Sequence, residues 1–349
     1  MNKRKHHTPF YRKKLFLWPV GIVLCLAIAI VIAFRVSPWP GALVIRYVFN
    51  KGGHKTLVAM QKALPSYPVT VTKDVAYRQN DKDARLDVYV PNNVRNTTSE
   101  LPAIVWTHGG GWLSGNKSDD APYFSRLANQ GYIVVALNYS LAPGKTYPYA
   151  VHQINDAFTF IVSHATQYHI NASKLVLAGD SAGAQLSSQM ATIYTNPAYA
   201  KLVGTQPAAL KPRQIAAVIL YCGIYKMDKL TQPNPALPKI IGWGTDVTVW
   251  AYTGSHDLSN PVIKQMSAFY HVTKSFPKTF ISGGNGDALT NVQSIPFAEE
   301  LNALGVPVTT LFYPANHQPS LPHEYQFTFN ADGEMAFGKM TNFLQTATQ

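Results

Sequence analysis

Residues 174–194 read KLVLAGDSAGAQLSSQMATIY. The apolar run Leu175–Ala178 has the length of a buried strand, and the stretch Ala182–Thr195 has a helical pattern. Between them, Gly179-Asp180-Ser181-Ala182-Gly183 fits G-x-S-x-G. That pattern carries meaning only when a strand precedes it and a helix follows, and both are present here. The reason is steric. A serine on a sharp strand-to-helix turn exposes its oxygen above the sheet, and small flanking residues let the backbone pass closely. The helix that follows also aims its N-terminus at the site. The plain alternative is a glycine-rich turn with an incidental serine, and the strand and helix on either side argue against it.

About 70 residues upstream, His108-Gly109-Gly110-Gly111-Trp112 directly follows another apolar run, Ala103–Thr107. Residues without side chains let backbone N–H groups turn inward toward an oxyanion. Glycines of this kind could instead cradle a phosphate, but no lysine or G-x-G-x-x-G pattern accompanies them. Around these two motifs, short apolar runs alternate with helical patterns, the mark of an α/β fold with a mainly parallel sheet. The strand candidates are Val71–Tyr77, Leu86–Val90, Ala103–Thr107, Ile133–Leu137, Leu175–Ala178, Ala216–Tyr221, Thr279–Ser282 and Val308–Phe312. The first two lie close together and should form an antiparallel start. Residues 196–214 and 226–274 fit the rhythm poorly, with Pro, Gly, Asn and aromatic residues. They are read as excursions above the sheet that wall a pocket. Trp243, Trp250, Tyr252, Phe269 and Tyr270 are candidates to line it.

HGGGW and GDSAGA, together with LDVYVP and NYSLAP, give the chain its likeness to a known group. It resembles α/β-hydrolases of the hormone-sensitive-lipase-like esterase group over roughly residues 74 to 346. The resemblance implies an α/β-hydrolase fold: an eight-stranded, mainly parallel sheet with helices on both faces and insertions forming a cap. It also implies a Ser–Asp–His triad in that chain order and short-acyl carboxylic esters as substrates. Ser181 is then the nucleophile, and the oxyanion hole falls to the N–H groups of Gly110, Gly111 and Ala182.

The triad acid must follow Ser181, and Asp228, Asp246, Asp257 and Asp287 are the candidates. Asp287 follows TFISGGNG at a strand end and precedes Ala288-Leu289, matching the group's D-x-L. For the histidine two residues compete after the last strand. His317 comes four residues after Tyr313. His323 opens HEYQF, where an aromatic soon follows, and lies about twenty residues before Phe343 in the terminal helix. His323 is preferred and His317 stays the alternative. The main reading is therefore a serine carboxylesterase acting through an acyl-enzyme. An amidase or peptidase of the same fold is one alternative, although no propeller domain or pocket acid points to a peptide. A non-catalytic binding protein on this scaffold is the other, and the intact Ser181, Asp287 and histidine argue against it.

The beginning of the chain has a different character. Leu15–Phe34 is twenty residues without a charge, enough at 1.5 Å per residue to cross the roughly 30 Å of a bilayer core. Pro19 lies near one end. Six positive charges and no acid precede this segment: Lys3, Arg4, Lys5, Arg12, Lys13 and Lys14. The apolar stretch exceeds that of a secretory signal, and Arg35-Val36-Ser37-Pro38-Trp39 offers no small-residue cleavage site. Leu24 before Cys25 does not suit a lipoprotein site. An uncleaved signal-anchor over 15–34 is expected, with 1–14 as a basic cytoplasmic tail and the remainder outside the cell. Residues 35–70 read as a juxtamembrane connector with Pro and Gly breaks and a helical stretch, Lys55–Leu64, and 71–349 as the hydrolase domain.

Composition excludes several other classes. Hydrophobic residues make up 46% of the 349, too many for a disordered chain. The formal charge is +12, and removing the six N-terminal charges leaves about +6, so no nucleic-acid partner is expected. Two cysteines, Cys25 and Cys222, cannot make a disulfide scaffold or a cysteine-rich zinc module. No H-E-x-x-H or acid cluster suggests a metal, and no cofactor is expected.

Overall fold

The computed structural model describes residues 10–207, 210–230, 239–257 and 259–349. Two long helices come first, α1 (Phe10–Val36) and α2 (Trp39–Ala63), joined only by Ser37 and Pro38. Within α1, Trp18–Val36 has a mean hydropathy of 2.6 and no buried residues, so it is long and apolar enough to cross a bilayer. The basic residues Lys3, Arg4 and Lys5 lie outside the described residues. The chain then runs through β1 (Val69–Ala76), β2 (Arg85–Pro91), β3 (Leu101–Thr107), α3 (Ala121–Asn129), β4 (Ile133–Leu137) and α4 (Tyr149–Ser163). Next come β5 (Ile170–Asp180), α5 (Ser181–Thr195), α6 (Pro197–Val203), β6 (Ile215–Tyr221), α7 (Met227–Leu230), α8 (Lys239–Thr253) and α9 (Pro261–Gln265). The chain ends with β7 (Thr279–Gly283), α10 (Ile295–Ala303), β8 (Val308–Phe312) and α11 (Ala331–Ala347).

The eight strands form one sheet in the order β1-β2-β4-β3-β5-β6-β7-β8. β2 is antiparallel to both β1 and β4, and the remaining pairs are parallel. The central strands are near-continuous apolar runs because helices cover both faces. Alternate side chains part to opposite faces. Val105, Leu177 and Leu220 join the core under α4 and α5, with Ile154, Phe158, Leu186 and Met190. Trp106, Val176 and Ile219 join the core under α3 and α11, with Phe124, Leu127, Phe337 and Met340. This architecture is the α/β-hydrolase fold that the resemblance implied.

Two expectations need correction. The connector is less broken than expected: Pro38 precedes its helix and Pro65 and Pro68 follow it, but Pro40, Gly41, Gly52 and Gly53 lie within it. Its helix is α2, 25 residues long, where only Lys55–Leu64 was expected. Pro40 sits in the first turn, where a missing N–H costs nothing. Gly52 and Gly53 each cost roughly 1 kcal/mol against alanine, and packing elsewhere along the helix compensates. Residues 226–274 also contain a regular helix, α8, in place of a wholly irregular excursion. Its sequence, KIIGWGTDVTVWAYT, has β-branched residues and two glycines, which weaken the local helical signal. Tertiary burial of Val247, Val249, Ala251 and Tyr252 holds it in place. Residues 231–238 of that excursion lie outside the described residues.

Candidate active site

β5 ends at Asp180 and α5 begins at Ser181 with no residue between them. The turn forces Ser181 to φ +49°, a left-handed conformation that a non-glycine residue rarely adopts. Strain of this kind persists only where the surrounding structure imposes it. Here β5 lies between β3 and β6. The serine is mostly buried and lines a cavity of about 1560 Å³.

His323 and Asp287 reach Ser181 from two other loops. The Ser181 hydroxyl donates to His323 Nε2 at 2.9 Å, and His323 Nδ1 donates to Asp287 Oδ2 at 2.8 Å. Asp287 follows β7, and its other oxygen accepts from the Leu289 N–H at 2.9 Å. A short hydrogen-bonded seam keeps the two loops in register. The Gly286 N–H donates to the Leu321 carbonyl at 2.9 Å, the Leu321 N–H donates to Asn285 Oδ1 at 2.8 Å, and Asn285 Nδ2 donates to the His317 carbonyl at 3.0 Å. His317 itself faces away, its Nε2 3.0 Å from the Asp332 carboxylate on α11.

The other acids are occupied elsewhere. Asp228 accepts from the Tyr270 hydroxyl at 2.8 Å, Asp257 accepts from Ser259, and Asp246 is exposed on α8. Of the five aromatic candidates, Trp243 lines the cavity. Trp250 packs on His256, Tyr252 stacks on Trp112 at 4.8 Å, and Phe269 meets Tyr270 edge-on beneath Lys226. Trp250 and Tyr252 are buried, Phe269 is partly buried and Tyr270 is exposed, and none of these four lines the cavity.

The glycine loop lies across the cavity floor. Gly110 and Gly111 take φ of +92° and +60°, and a Cβ at Gly110 would sit 2.5 Å from the Ser114 carbonyl oxygen. Only glycine fits there without distortion. Ser114 N–H and Oγ both donate to the Gly110 carbonyl and fix the turn. The N–H groups of Gly110 and Gly111 meet no acceptor among the described residues, and both glycines line the cavity. His108 supports the loop from beneath: it is buried, stacked on Tyr139 at 4.4 Å, and its Nδ1 lies 2.9 Å from the Gly109 carbonyl. Burial pushes its imidazole down to about 4, against the hydrogen bond to Gly109, so it is neutral at ordinary pH.

The electrostatics centre on His323. Burial disfavours its cation. The Asp287 hydrogen bond, the Cys222 thiol and the charges of Asp287 and Glu324 more than offset this, and its pKa stands well above the ordinary 6.5. For Asp287 burial opposes ionisation, but the His323 bond and charge and the Leu289 N–H hold its carboxyl below the usual range.

Two residues of this cluster escaped the sequence reading. Cys222, just past β6, accepts from the Glu324 N–H and donates toward Gln326 Oε1, both at 3.3 Å. Glu324 Oε1 lies 3.7 Å from His323 Nε2. Asp180 accepts from Trp106 Nε1 at 2.8 Å, and burial with the Glu324 charge pushes its pKa well up. The ligand atoms of Cys222, Asp287 and His323 lie within 4.8 Å of one another. Asp287 and His323 bond to each other there, and the Cys222 thiol, held by Glu324 and Gln326, lies beside that pair.

Comparisons with known proteins agree with this architecture. The BD-FAE family model matches residues 86–301. The chain is 26% identical over 223 residues to the probable carboxylic ester hydrolase LipM of Mycobacterium tuberculosis, an alignment covering 63% of this chain and 49% of that protein. It is 26% identical over 251 residues to the carboxylesterase NlhH of the same organism, covering 70% and 71% of the two chains. The chain thus spans about half the length of LipM. Among solved structures, esterase B from Lactobacillus Rhamnosis (HN001) has a TM-score of 0.73 at 21% identity, covering 88% of this chain and 96% of that one. At that identity the likeness concerns the fold.

Proposed function

The chain belongs to the BD-FAE family of α/β-hydrolases, and from that premise we propose that it is a serine carboxylesterase with Ser181, His323 and Asp287 as its triad. The observation that carries the reading is the unbroken relay from the Ser181 hydroxyl through His323 to Asp287, beside a glycine loop with free N–H groups. In this mechanism Ser181 Oγ attacks the ester carbonyl while its proton passes to His323 Nε2. Asp287 orients the imidazole and stabilises the imidazolium without taking the proton. The N–H groups of Gly110, Gly111 and Ala182 hold the oxyanion of the tetrahedral intermediate. Each such donor typically contributes about 3 kcal/mol to lowering the barrier. Collapse of the intermediate breaks the bond to the alcohol, which leaves with the proton from His323. Water, activated by the same histidine, then releases the acid and restores Ser181.

A fluorophosphonate probe tests this directly, because only an activated serine labels. The native protein should label and hydrolyse p-nitrophenyl butyrate. Ser181→Ala should do neither while remaining folded. More than a few per cent of residual hydrolysis in the folded variant would reassign the nucleophile.

The same proposal places the enzyme at a membrane. Trp18–Val36 would anchor it as an uncleaved signal-anchor, and the basic residues before it favour a cytoplasmic N-terminus with the hydrolase domain outside.

A further inference from the structure

The cavity over Ser181 is not walled by the sheet and its helices alone. Val44, Val48 and Phe49 of α2 line it, together with Ile240 and Trp243 of α8 and Val292. The helix that walls the site therefore starts only three residues after the apolar segment ends, at most about 10 Å of chain. The two parts also touch directly. The ring of Phe34, in the last turns of α1, lies 6.4 Å from that of Trp243.

α2 is firmly docked by one face and bare on another. Gly41, Ala42 and Ile45 are buried, and the Arg46 guanidinium donates to the carbonyls of Leu113 at 2.5 Å and Ala142 at 2.7 Å. Leu43, Val44, Tyr47 and Val48 stand exposed one turn apart. That spacing gives a single apolar stripe, and Val44 and Val48 belong both to it and to the cavity lining. Leu43 is 52% exposed and Tyr47 69%, which is costly in water but suits the headgroup and acyl boundary of a bilayer. The stripe begins seven residues after α1 ends, with Trp39 exposed between them, so a lipid surface holding α1 would lie within reach of it.

We propose that the cavity takes its ester from the bilayer that holds α1: the substrate is a membrane-dissolved acyl ester whose chain enters along α2 beside α8. This rests on the carboxylesterase reading and on α1 spanning the membrane. A small water-soluble ester reaches Ser181 without this route.

The test uses the full-length chain reconstituted in phosphatidylcholine vesicles containing 4-methylumbelliferyl oleate, with p-nitrophenyl butyrate supplied in the surrounding buffer. The native protein should cleave both. Leu43→Glu with Tyr47→Glu puts two charges on the stripe without touching the cavity lining. It should lower oleate hydrolysis by about tenfold or more and leave butyrate hydrolysis within about twofold. The milder pair Leu43→Ser and Tyr47→Ser should act in the same direction, which guards against a folding defect in the charged variant. Unchanged oleate hydrolysis in both pairs, or parallel loss of both substrates in both pairs, would overturn membrane entry while the esterase reading stands. Native protein that cleaves butyrate but never the vesicle ester would do the same. A native protein inert toward butyrate would remove the esterase reading and this inference together.

Discussion

His323 and His317 lie six positions apart, yet they meet different partners, and the difference predicts different kinetics. His323→Ala should cut kcat by several orders of magnitude, leaving the turnover that binding and the oxyanion donors supply alone. His317→Ala removes contacts with Asp332 and the Tyr313 ring, both away from Ser181, and should change the rate by about tenfold or less, on the order of 1.4 kcal/mol. Steady-state kinetics on the two variants decide between them, and the reverse ranking would reassign the base. A second prediction concerns pH. His323 must be neutral to accept the serine proton, and its pKa lies well above 6.5. Activity should therefore fall as pH drops through that raised value, with the acid limb of kcat/KM above 6.5. Glu324→Gln removes one charge that raises it, so the limb should move to lower pH and the rate near the foot of the native limb should rise. A limb that stays in place would show that Glu324 does not act on the imidazole. Ser181 and Asp287 could be proposed from the sequence because each stands in a short local pattern at a strand end, and His323 because of HEYQF and its distance from the terminal helix, with His317 left as the alternative. Glu324 and Cys222 could not. Cys222 meets His323 and Asp287 only because β6 packs beside β7, and nothing within a few residues of it signals that neighbour.

At the scale of elements, strands were read more faithfully than the helices over the site. A strand buried on both faces, such as β3, β4 or β6, announces itself as an apolar run; all eight strands were located, although β5 begins five residues earlier than expected. α2 and α8 carry glycine, proline and β-branched residues, and they are helical because they pack on each other. Local propensity cannot report that. The contact is close: a Cβ added at Gly41 would lie 2.8 Å and 3.1 Å from the two methyl groups of Val247 and 3.3 Å from Trp243. Gly41→Val should therefore push α2 off α8. Overpacking of this kind costs about 1–3 kcal/mol. Thermal unfolding should show a Tm lower by a few degrees. Because α2 and α8 wall the cavity, KM for p-nitrophenyl butyrate should also rise while Ser181 still labels with fluorophosphonate. A variant with native Tm and KM would mean that the two helices can part without consequence.

For the molecule as a whole, the charge asymmetry about α1 predicts where the hydrolase domain resides. Protease added to spheroplasts should digest residues beyond 36, and digestion only after the membrane is opened would reverse the orientation. The sequence announced both the apolar segment and the hydrolase pattern. It did not announce how closely they are coupled, since 35–70 read as a broken connector, whereas only Ser37 and Pro38 separate α1 from a helix that runs unbroken to Ala63. That two-residue joint leaves the domain no leash. A domain on a flexible tether samples a hemisphere of solution, whereas a domain joined to a membrane-spanning α1 by two residues would stay close to the lipid surface, like an instrument on a short mast. On the proposed route its encounters with a lipid-dissolved ester would be a matter of lateral diffusion, and surface dilution, not bulk concentration, would govern that rate. Adding ester-free lipid at constant total ester should slow the vesicle reaction in proportion to the falling mole fraction. Inserting about ten Gly and Ser residues between Ser37 and Pro38 would lengthen the mast into a flexible cord of roughly 16–19 Å. That protein should cleave the vesicle ester more slowly than the native chain while cleaving soluble esters at the native rate.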